Sequence, residues 1–254
     1  MKKSILLLGF ISTITTIFAG NHAKTGDIQY IQNNGQWASH ILYSTPVYGG
    51  NLFLEQNCFT YYFSNMSEIG ELHHSGNKNQ LENFIIKKHA FKVSFVGANP
   101  NITLSGENKF ANYYNYFLGN DQSKWQGKVP AYGAIRYPQL YDGIDMLVYS
   151  QSSSVKYDYI VEPGADANKI KVLYDGLDNI QLVDGNLELT TSINKMIELK
   201  PVAYQMINGS KVDVLCEYLL DVTTISFSFP NGYDKNYELV IDPATLIFAS
   251  YTGS

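Results

Sequence analysis

The sequence predicts an all-β protein, built as two packed antiparallel β-sandwich-like lobes that follow a signal peptide. Three observations predict this class: apolar and polar residues alternate with period two, glycine- and asparagine-containing turns recur at short spacing, and helical periodicity is nearly absent. Aromatic residues make up 14% of the chain, with 20 tyrosines and 13 phenylalanines. Residues of this kind favour half-buried strands over helices or disorder.

The first residues have the pattern of an export signal. Lys2 and Lys3 form a basic start, an apolar run covers 5–18, and the small residues Ala19 and Gly20 offer a cleavage point. The sequence shows no second apolar span and no cysteine at the cleavage point, so we expect neither a membrane anchor nor a lipid-modified N-terminus. The mature protein is therefore predicted to be secreted or to lie on the outer cell surface.

The charge composition of the chain argues against some classes of binding partner. Charged residues are sparse at 16%, the net charge is −5, and the pI is near 5.5. A net negative charge disfavours nucleic acids and anionic membranes as partners, because a negatively charged protein does not attract them electrostatically. About 230 residues remain after signal cleavage, which is enough for one large domain or two small ones.

Alternation is clearest in three segments. In each of them apolar side chains occupy every second position and polar side chains lie between, which is typical of a strand with one face on a core and one in water. The predicted inward positions are Phe91, Val93 and Phe95; Val155, Tyr157, Tyr159 and Val161; and Ile225, Phe227 and Phe229.

Turn and loop signals separate these strands. Glycine and asparagine supply the positive φ that tight hairpins need, and the predicted hairpin turns are 49–51, 184–186 and 208–209. One helical turn is predicted over 166–169, with Asp166 as its N-cap. The polar segment 64–83 shows no periodicity and is predicted to be a long mobile loop.

Four segments are predicted along the chain. A signal peptide covers 1–20, a first β lobe covers 24–126, and a second β lobe covers 127–243 and ends with a strand closed by Pro243. The apolar stretch within 244–254 is predicted to be a strand with nothing to pair with, and therefore the truncated start of a downstream repeat. A domain seldom ends on such a strand, because its open edge would invite aggregation.

The two cysteines, Cys58 and Cys216, are far apart in sequence. Cys216 is in register with Val214 and Tyr218 on a predicted inward face, which favours two buried thiols. Export permits a disulfide, and this alternative stays open.

No catalytic residues are predicted, and the chain is not expected to be an enzyme. The sequence has no Gly-x-Ser-x-Gly elbow and no His-Glu-x-x-His helix. Five carboxylates lie close together in the sequence: Asp142, Asp145, Asp158, Glu162 and Asp166. Each of them has a structural role that accounts for its presence, in a turn, on a polar strand face or at a helical cap. Loop carboxylates suit calcium, so Asp142, Asp145 and Asp166 are candidate Ca²⁺ ligands, and no other cofactor is predicted.

Aromatic residues crowd the last part of the first predicted lobe, just before its boundary with the second. Tyr113, Tyr114, Tyr116 and Trp125 lie there beside several asparagines. One interpretation is that the rings fill the seam between the lobes. The other is a carbohydrate-binding face, because sugar recognition needs flat apolar surfaces for the ring and hydrogen-bonding groups for its hydroxyls.

Several strings occur in order along the whole mature chain: NNGQW (33–37), FKVSFVGAN (91–99), YNYFLGND (114–121), VPAY (129–132), YDGID (141–145), YDYIVEPGAD (157–166), LKPVAYQ (199–205) and LVIDP (239–243). Together they resemble the N-terminal domain of bacterial SBBP-repeat (beta-propeller repeat) surface proteins. Residues 251–254 are similar to the opening of the first propeller repeat of such proteins.

The resemblance implies a non-catalytic exported β domain, a structural and interaction module at the N-terminus of a cell-surface or secreted propeller protein. It further implies partners in the chain's own downstream β-propeller repeats, and a link to type IX secretion and gliding bacteria. Surface glycans or proteins stay open as further partners. Two alternative functions also stay open: a carbohydrate-binding module that uses the aromatic patch, and a calcium-stabilised adhesion domain.

Overall fold

A computed structural model describes residues 28–65, 85–151 and 154–243, together with the backbone of 246–249. Nearly all regular structure in these residues is β-strand; they hold two single 3₁₀ turns, at Gln122–Lys124 and Ala167–Lys169, and no α-helix. No helix in the described ranges is long and apolar enough to cross a membrane. The predicted all-β class is confirmed.

The strands of the first half are β1 (Tyr30–Gln32), β2 (Ile41–Val47), β3 (Gly50–Glu55), β4 (Cys58–Ser64), β5 (Lys88–Phe95), β6 (Ser105–Tyr116), β7 (Gln126–Tyr141), β8 (Ile144–Gln151) and β9 (Ser154–Val161). Those of the second half are β10 (Val172–Asp175), β11 (Asn179–Val183), β12 (Asn186–Thr190), β13 (Lys195–Glu198), β14 (Val202–Ile207), β15 (Ser210–Val214), β16 (Glu217–Asp221), β17 (Thr224–Ser228), β18 (Leu239–Asp242) and β19 (Leu246–Ala249).

Two antiparallel sheets account for these strands. The large sheet has fifteen strands in the order β15-β14-β18-β9-β8-β7-β1-β2-β3-β4-β5-β10-β17-β16, with β6 paired to β7 beside this path. The small sheet has the order β11-β12-β13-β19. Antiparallel sheets commonly bury one face and leave the other in water, which matches the alternation in the sequence.

The large sheet folds over itself and encloses one main core. Phe59 of β4 meets Tyr137 of β7 edge to face, with ring centroids 5.9 Å apart. Tyr159 of β9 meets Phe227 of β17 in the same way at 5.9 Å. Strands far apart in the sheet order therefore pack face to face, and the predicted sandwich-like arrangement is confirmed.

The alternating segments form the strands that were expected. In β5 the buried side chains are Phe91, Val93 and Phe95, and in β17 they are Ile225 and Phe227. In β9, Val155, Tyr159 and Val161 are buried, and Tyr157 packs against the same core. Burial of such side chains supplies most of the driving force for folding, at about 25 cal/mol per Å² of apolar surface.

Two of the three predicted hairpin turns lie where they were expected, and the turn predicted over 49–51 lies instead at Tyr48 and Gly49. Asp184 and Gly185 connect β11 to β12 with φ of 52° and 81°, and Asn208 and Gly209 connect β14 to β15 with φ of 51° and 81°. Both central residues have positive φ, as a type I′ hairpin turn requires. Asp166 caps the 3₁₀ turn that follows it, because its carboxylate accepts a hydrogen bond from Asn168 N at 3.1 Å.

The boundary proposed between 126 and 127 does not separate two sheets. It lies at the start of β7, which pairs with β1, and β5 pairs with β10. Strands from the predicted lobes 24–126 and 127–243 are thus hydrogen-bonded to each other within the large sheet.

The prediction that the strand within 244–254 has nothing to pair with is wrong. Leu246–Ala249 pairs antiparallel with β13, with Leu246 opposite Glu198 and Ala249 opposite Lys195. The pairing is long-range, and alternation along one strand does not reveal which distant edge will accept it. The predicted signal peptide, residues 66–83 of the predicted loop, and 251–254 lie outside the described residues.

Both cysteines are buried and free, so the predicted pair of buried thiols is confirmed. Burial raises the pKa of the Cys58 thiol to about 12, with a further contribution from Glu55. Burial and the nearby Glu217 raise the pKa of Cys216 to about 12 as well. Both thiols are therefore protonated and poorly nucleophilic at neutral pH.

Candidate functional site

The predicted aromatic patch lies on the β6–β7 hairpin, and two of its members pack inward. Tyr116 meets Trp37 edge to face with ring centroids 5.4 Å apart. The Tyr114 hydroxyl donates a hydrogen bond to Gln29 Oε1 at 3.0 Å. Both rings pack against a small apolar cluster separate from the main core, formed by Ile31, Val129 and Ala131. Their contacts are those of packing side chains.

The other two members face solvent. Tyr113 is 55% exposed. Trp125 packs against Phe117 with ring centroids 5.6 Å apart, and its indole N–H donates to Gly119 O at 3.2 Å. Leu118, between them, is 77% exposed. The structure therefore divides the four predicted residues, and the exposed apolar surface at the hairpin tip consists of Phe117, Leu118 and Trp125.

The three predicted calcium ligands each have a protein partner. Asp142 Oδ2 lies 2.9 Å from Lys169 Nζ, whose hydrogen bond and charge lower the pKa of this carboxyl. Asp166 caps the 3₁₀ turn that contains Lys169, so these two carboxylates and the lysine border one shallow depression.

Asp145 does not line this depression and has other partners. Its carboxylate lies 3.3 Å from Arg136 Nη1 and accepts a hydrogen bond from Gln139 N at 2.7 Å. Within 28–65, 85–151 and 154–243, the structure brings no three histidine, cysteine or acidic side chains together as metal ligands. The trio Asp142, Asp145 and Asp166 does not converge on one point.

One polar cluster on the large sheet was not foreseen. The pairing of β9 with β18 sets Ile241 opposite Tyr159, which brings the next residues, Asp242 and Asp158, side by side. Lys156 Nζ lies 2.8 Å from Asp242 Oδ2. Burial and the charge of Asp242 raise the pKa of Asp158 to about 6.

Lys156 also corrects an expectation about strand β9. The alternation places it on a water-facing side, yet it is only 7% exposed. Its ion pair with Asp242 provides the partner that a buried ammonium needs. The Tyr149 hydroxyl donates to both oxygens of Asp158 at 3.2 Å. These contacts form an ion-pair and hydrogen-bond network on a sheet face.

A second unforeseen group, Glu198 of β13, joins the two sheets. It is buried, and its two carboxylate oxygens accept hydrogen bonds from the hydroxyls of Tyr157 in β9 and Tyr174 in β10, the latter at 3.0 Å. Burial raises the pKa of Glu198, and the two hydroxyls oppose that rise by stabilising the carboxylate. The small sheet is thereby anchored to the large one.

The fold defines an all-β, sandwich-like domain. Most of the ionisable groups with shifted pKa values lie in its core or on a face of a sheet. A family model described as a domain of unknown function (DUF7948) matches residues 30–244. The chain belongs to this family. No curated protein and no solved structure matches it. Strand β19 lies beyond the matched residues and nevertheless pairs with β13 inside them.

Proposed function

We propose that this chain is a non-catalytic, exported β domain that acts as a structural and interaction module of a cell-surface or secreted protein. In this proposal the domain docks β strands contributed by its own downstream β-propeller repeats. The sequence resemblance to the N-terminal domain of SBBP-repeat surface proteins supports it, as does the pattern of an export signal in 1–20.

The observation that carries the proposal is the position of β19. Residues 30–244 match the family, whereas Leu246–Ala249 follows the match and adds a strand to the edge of the small sheet, beside β13. Strand addition to a sheet edge is a common way for β domains to recognise extended segments, because backbone hydrogen bonds supply the affinity. In this proposal, the edge of β13 is where the domain accepts a strand of the first downstream repeat.

The accepting strand is held firmly. Met196 of β13 is buried in the main core together with Leu187 and Leu189 of β12. At the end of β13, Glu198 is hydrogen-bonded to two tyrosines of the large sheet. An edge fixed in this way loses little conformational entropy when a strand binds to it.

Removing backbone N–H groups from β19 tests the proposal. Adjacent residues of a strand direct their N–H groups to opposite sides, so the double variant Ile247→Pro/Phe248→Pro removes a donor from each side. We expect a lower melting temperature, increased binding of an apolar dye and self-association, because the β13 edge becomes open. A peptide with the sequence of residues 245–254 should bind to this variant and reverse the self-association.

The matched control is Ile247→Thr/Phe248→Thr, which keeps both N–H groups and a high strand propensity. It should retain the oligomeric state of the parent chain. If the proline variant instead matches the parent in melting temperature, dye binding and oligomeric state, β13 is not a strand-accepting edge and the proposal fails.

A further inference from the structure

An open cleft lies near the end of β3, and its lining includes no residue of the hairpin tip or of β19. It is bordered by the loop before β2, by the β3–β4 turn at Gln56 and Asn57, and by segment 102–104. It has a volume of about 500 Å³, within the range of roughly 300–1,000 Å³ that is usual for small-molecule sites.

The walls of the cleft are fixed by hydrogen bonds. Asn33 Nδ2 donates to Ala38 O at 2.9 Å and to Ile41 O at 2.7 Å, which holds the loop before β2. Gln56 Nε2 donates to Ile102 O at 2.9 Å, which ties the β3–β4 turn to the facing segment. A preformed site avoids part of the entropy cost of ordering loops on binding.

A charged side chain lines the floor. Glu55 is only 7% exposed, and its Oε1 accepts a hydrogen bond from the Thr60 hydroxyl. Lys92 Nζ lies 3.6 Å from its Oε2. An ionised carboxylate offers about four lone-pair sites, so Glu55 retains capacity to accept a hydrogen bond from a ligand.

Free hydrogen-bonding groups surround this floor. The side chains of Ser39, His40, Asn57 and Thr103 border the cleft and make no hydrogen bond with any other residue in the part of the chain that the structure describes. Ile102 and Leu104 also border the cleft, but their side chains are buried in the main core. Amide, imidazole, hydroxyl and carboxylate groups at the border of one cleft suit a ligand with several hydroxyls.

We propose that this cleft is a carbohydrate-binding site that takes a neutral sugar unit. The ligand hydroxyls would bond to these four side chains, which lie on the three bordering segments, and to Glu55. The carboxylate of Glu55 disfavours sugars that carry their own carboxylate, because like charges repel in a partly buried site. The site is separate from the strand-accepting edge, so each can fail without the other.

A glycan array tests the proposal, using the full chain and immobilised neutral hexose, N-acetylhexosamine and uronic-acid oligosaccharides. Hits are titrated by calorimetry. We expect binding to neutral sugars, weakened about five- to tenfold by His40→Ala and by Asn57→Ala, since each variant removes one hydrogen bond. These residues are exposed and lie on separate walls, so the melting temperature should stay that of the parent chain.

The control is Trp125→Ala at the hairpin tip, which should leave the affinity unchanged. The proposal is overturned if no neutral glycan binds, if only uronic-acid oligosaccharides bind, or if both cleft variants bind as tightly as the parent. It is also overturned if Trp125→Ala abolishes binding, because the hairpin tip would then be the sugar site.

Discussion

Asp158 and Asp242 lie side by side on adjacent strands, β9 and β18, and Lys156 forms an ion pair with Asp242. Asp158 has the hydroxyl of Tyr149 as its hydrogen-bond partner. Two carboxylates thus share one nearby ammonium group on a partly buried sheet face. The ionised form of Asp158 is penalised by desolvation and by repulsion from Asp242, which raises its pKa to about 6.

Replacing this carboxylate should stabilise the protein at neutral pH. Because the folded-state pKa lies above the unfolded value of 3.8, the contribution of Asp158 to stability is full below about pH 4 and is lost as the pH rises through about 6. Asp158→Asn keeps an acceptor for Tyr149 and removes the charge. We expect a gain of about 1–2 kcal/mol at pH 7.5, after allowance for solvent screening.

Thermal unfolding at pH 4 and pH 7.5 measures this effect. A gain of that size raises the melting temperature by about 3–6 °C at pH 7.5, and the gain should fall to about a fifth of that at pH 4. Asp178→Asn, at an exposed position, is the control and should have little effect at either pH. Equal melting temperatures for Asp158→Asn and the parent at pH 7.5 would contradict the assignment.

Loss of Glu198 should destabilise the domain strongly. Glu198→Ala leaves the buried hydroxyls of Tyr157 and Tyr174 without their acceptor and opens a small void. The expected loss is about 2–4 kcal/mol in the free energy of unfolding, measured by urea denaturation. Glu198→Gln keeps an acceptor and should lose less. The exposed Glu238 serves as the control position, and Glu238→Ala should cost much less than Glu198→Ala. If the two alanine variants are equally stable, Glu198 does not anchor the small sheet.

Val222, in the turn between β16 and β17, occupies a strained backbone conformation. Its φ is 56° and its side chain is 84% exposed, so a β-branched residue adopts left-handed backbone without compensating burial. Val222→Asn should raise the free energy of unfolding by about 1 kcal/mol. Val222→Ala keeps a Cβ in the same conformation and should give a smaller gain. Chemical denaturation compares the three chains, and an asparagine variant no more stable than the alanine variant would argue against strain here.

The two thiols should be unreactive in the folded protein. Both are buried, with pKa values of about 12, so little thiolate is present at pH 8. Dithionitrobenzoate, without reductant, should label neither cysteine in the folded chain and both in 6 M guanidinium. Rapid labelling of the folded chain would show an accessible thiol, and no labelling in denaturant would show a disulfide.

Local sequence patterns were sufficient for the strands and turns, because alternation and positive-φ residues act over a few positions. Segments such as 154–161 and 184–186 formed as expected. Local patterns were not sufficient to predict which distant strands would pair. The contact of β1 with β7 joins the two predicted lobes, and the addition of β19 to β13 depends on an edge about fifty residues earlier in the chain.

The polar clusters depend on the same long-range pairing, and this explains why they were missed. Asp158 and Asp242 become neighbours only when β9 pairs with β18. Glu198 is the last residue of β13 and shares a strand face with the buried Met196, but the sequence does not reveal which tyrosines of the large sheet will meet it. Conversely, Tyr113 and Tyr114 are adjacent in sequence but project to opposite faces of β6, so an aromatic-rich segment does not become one aromatic surface.

Hydrogen exchange of the full chain tests the central claim, that β19 is a strand of the small sheet beside β13. If it is, the backbone amides of residues 195–198 and those of 246–249 that point toward β13 should exchange much more slowly than in an unfolded chain, and the Ile247→Pro/Phe248→Pro variant should lose the protection of β13. This position of β19 is contradicted if all amides of 246–249 exchange at the rate of an unfolded chain and β13 is equally protected in the parent and in the proline variant.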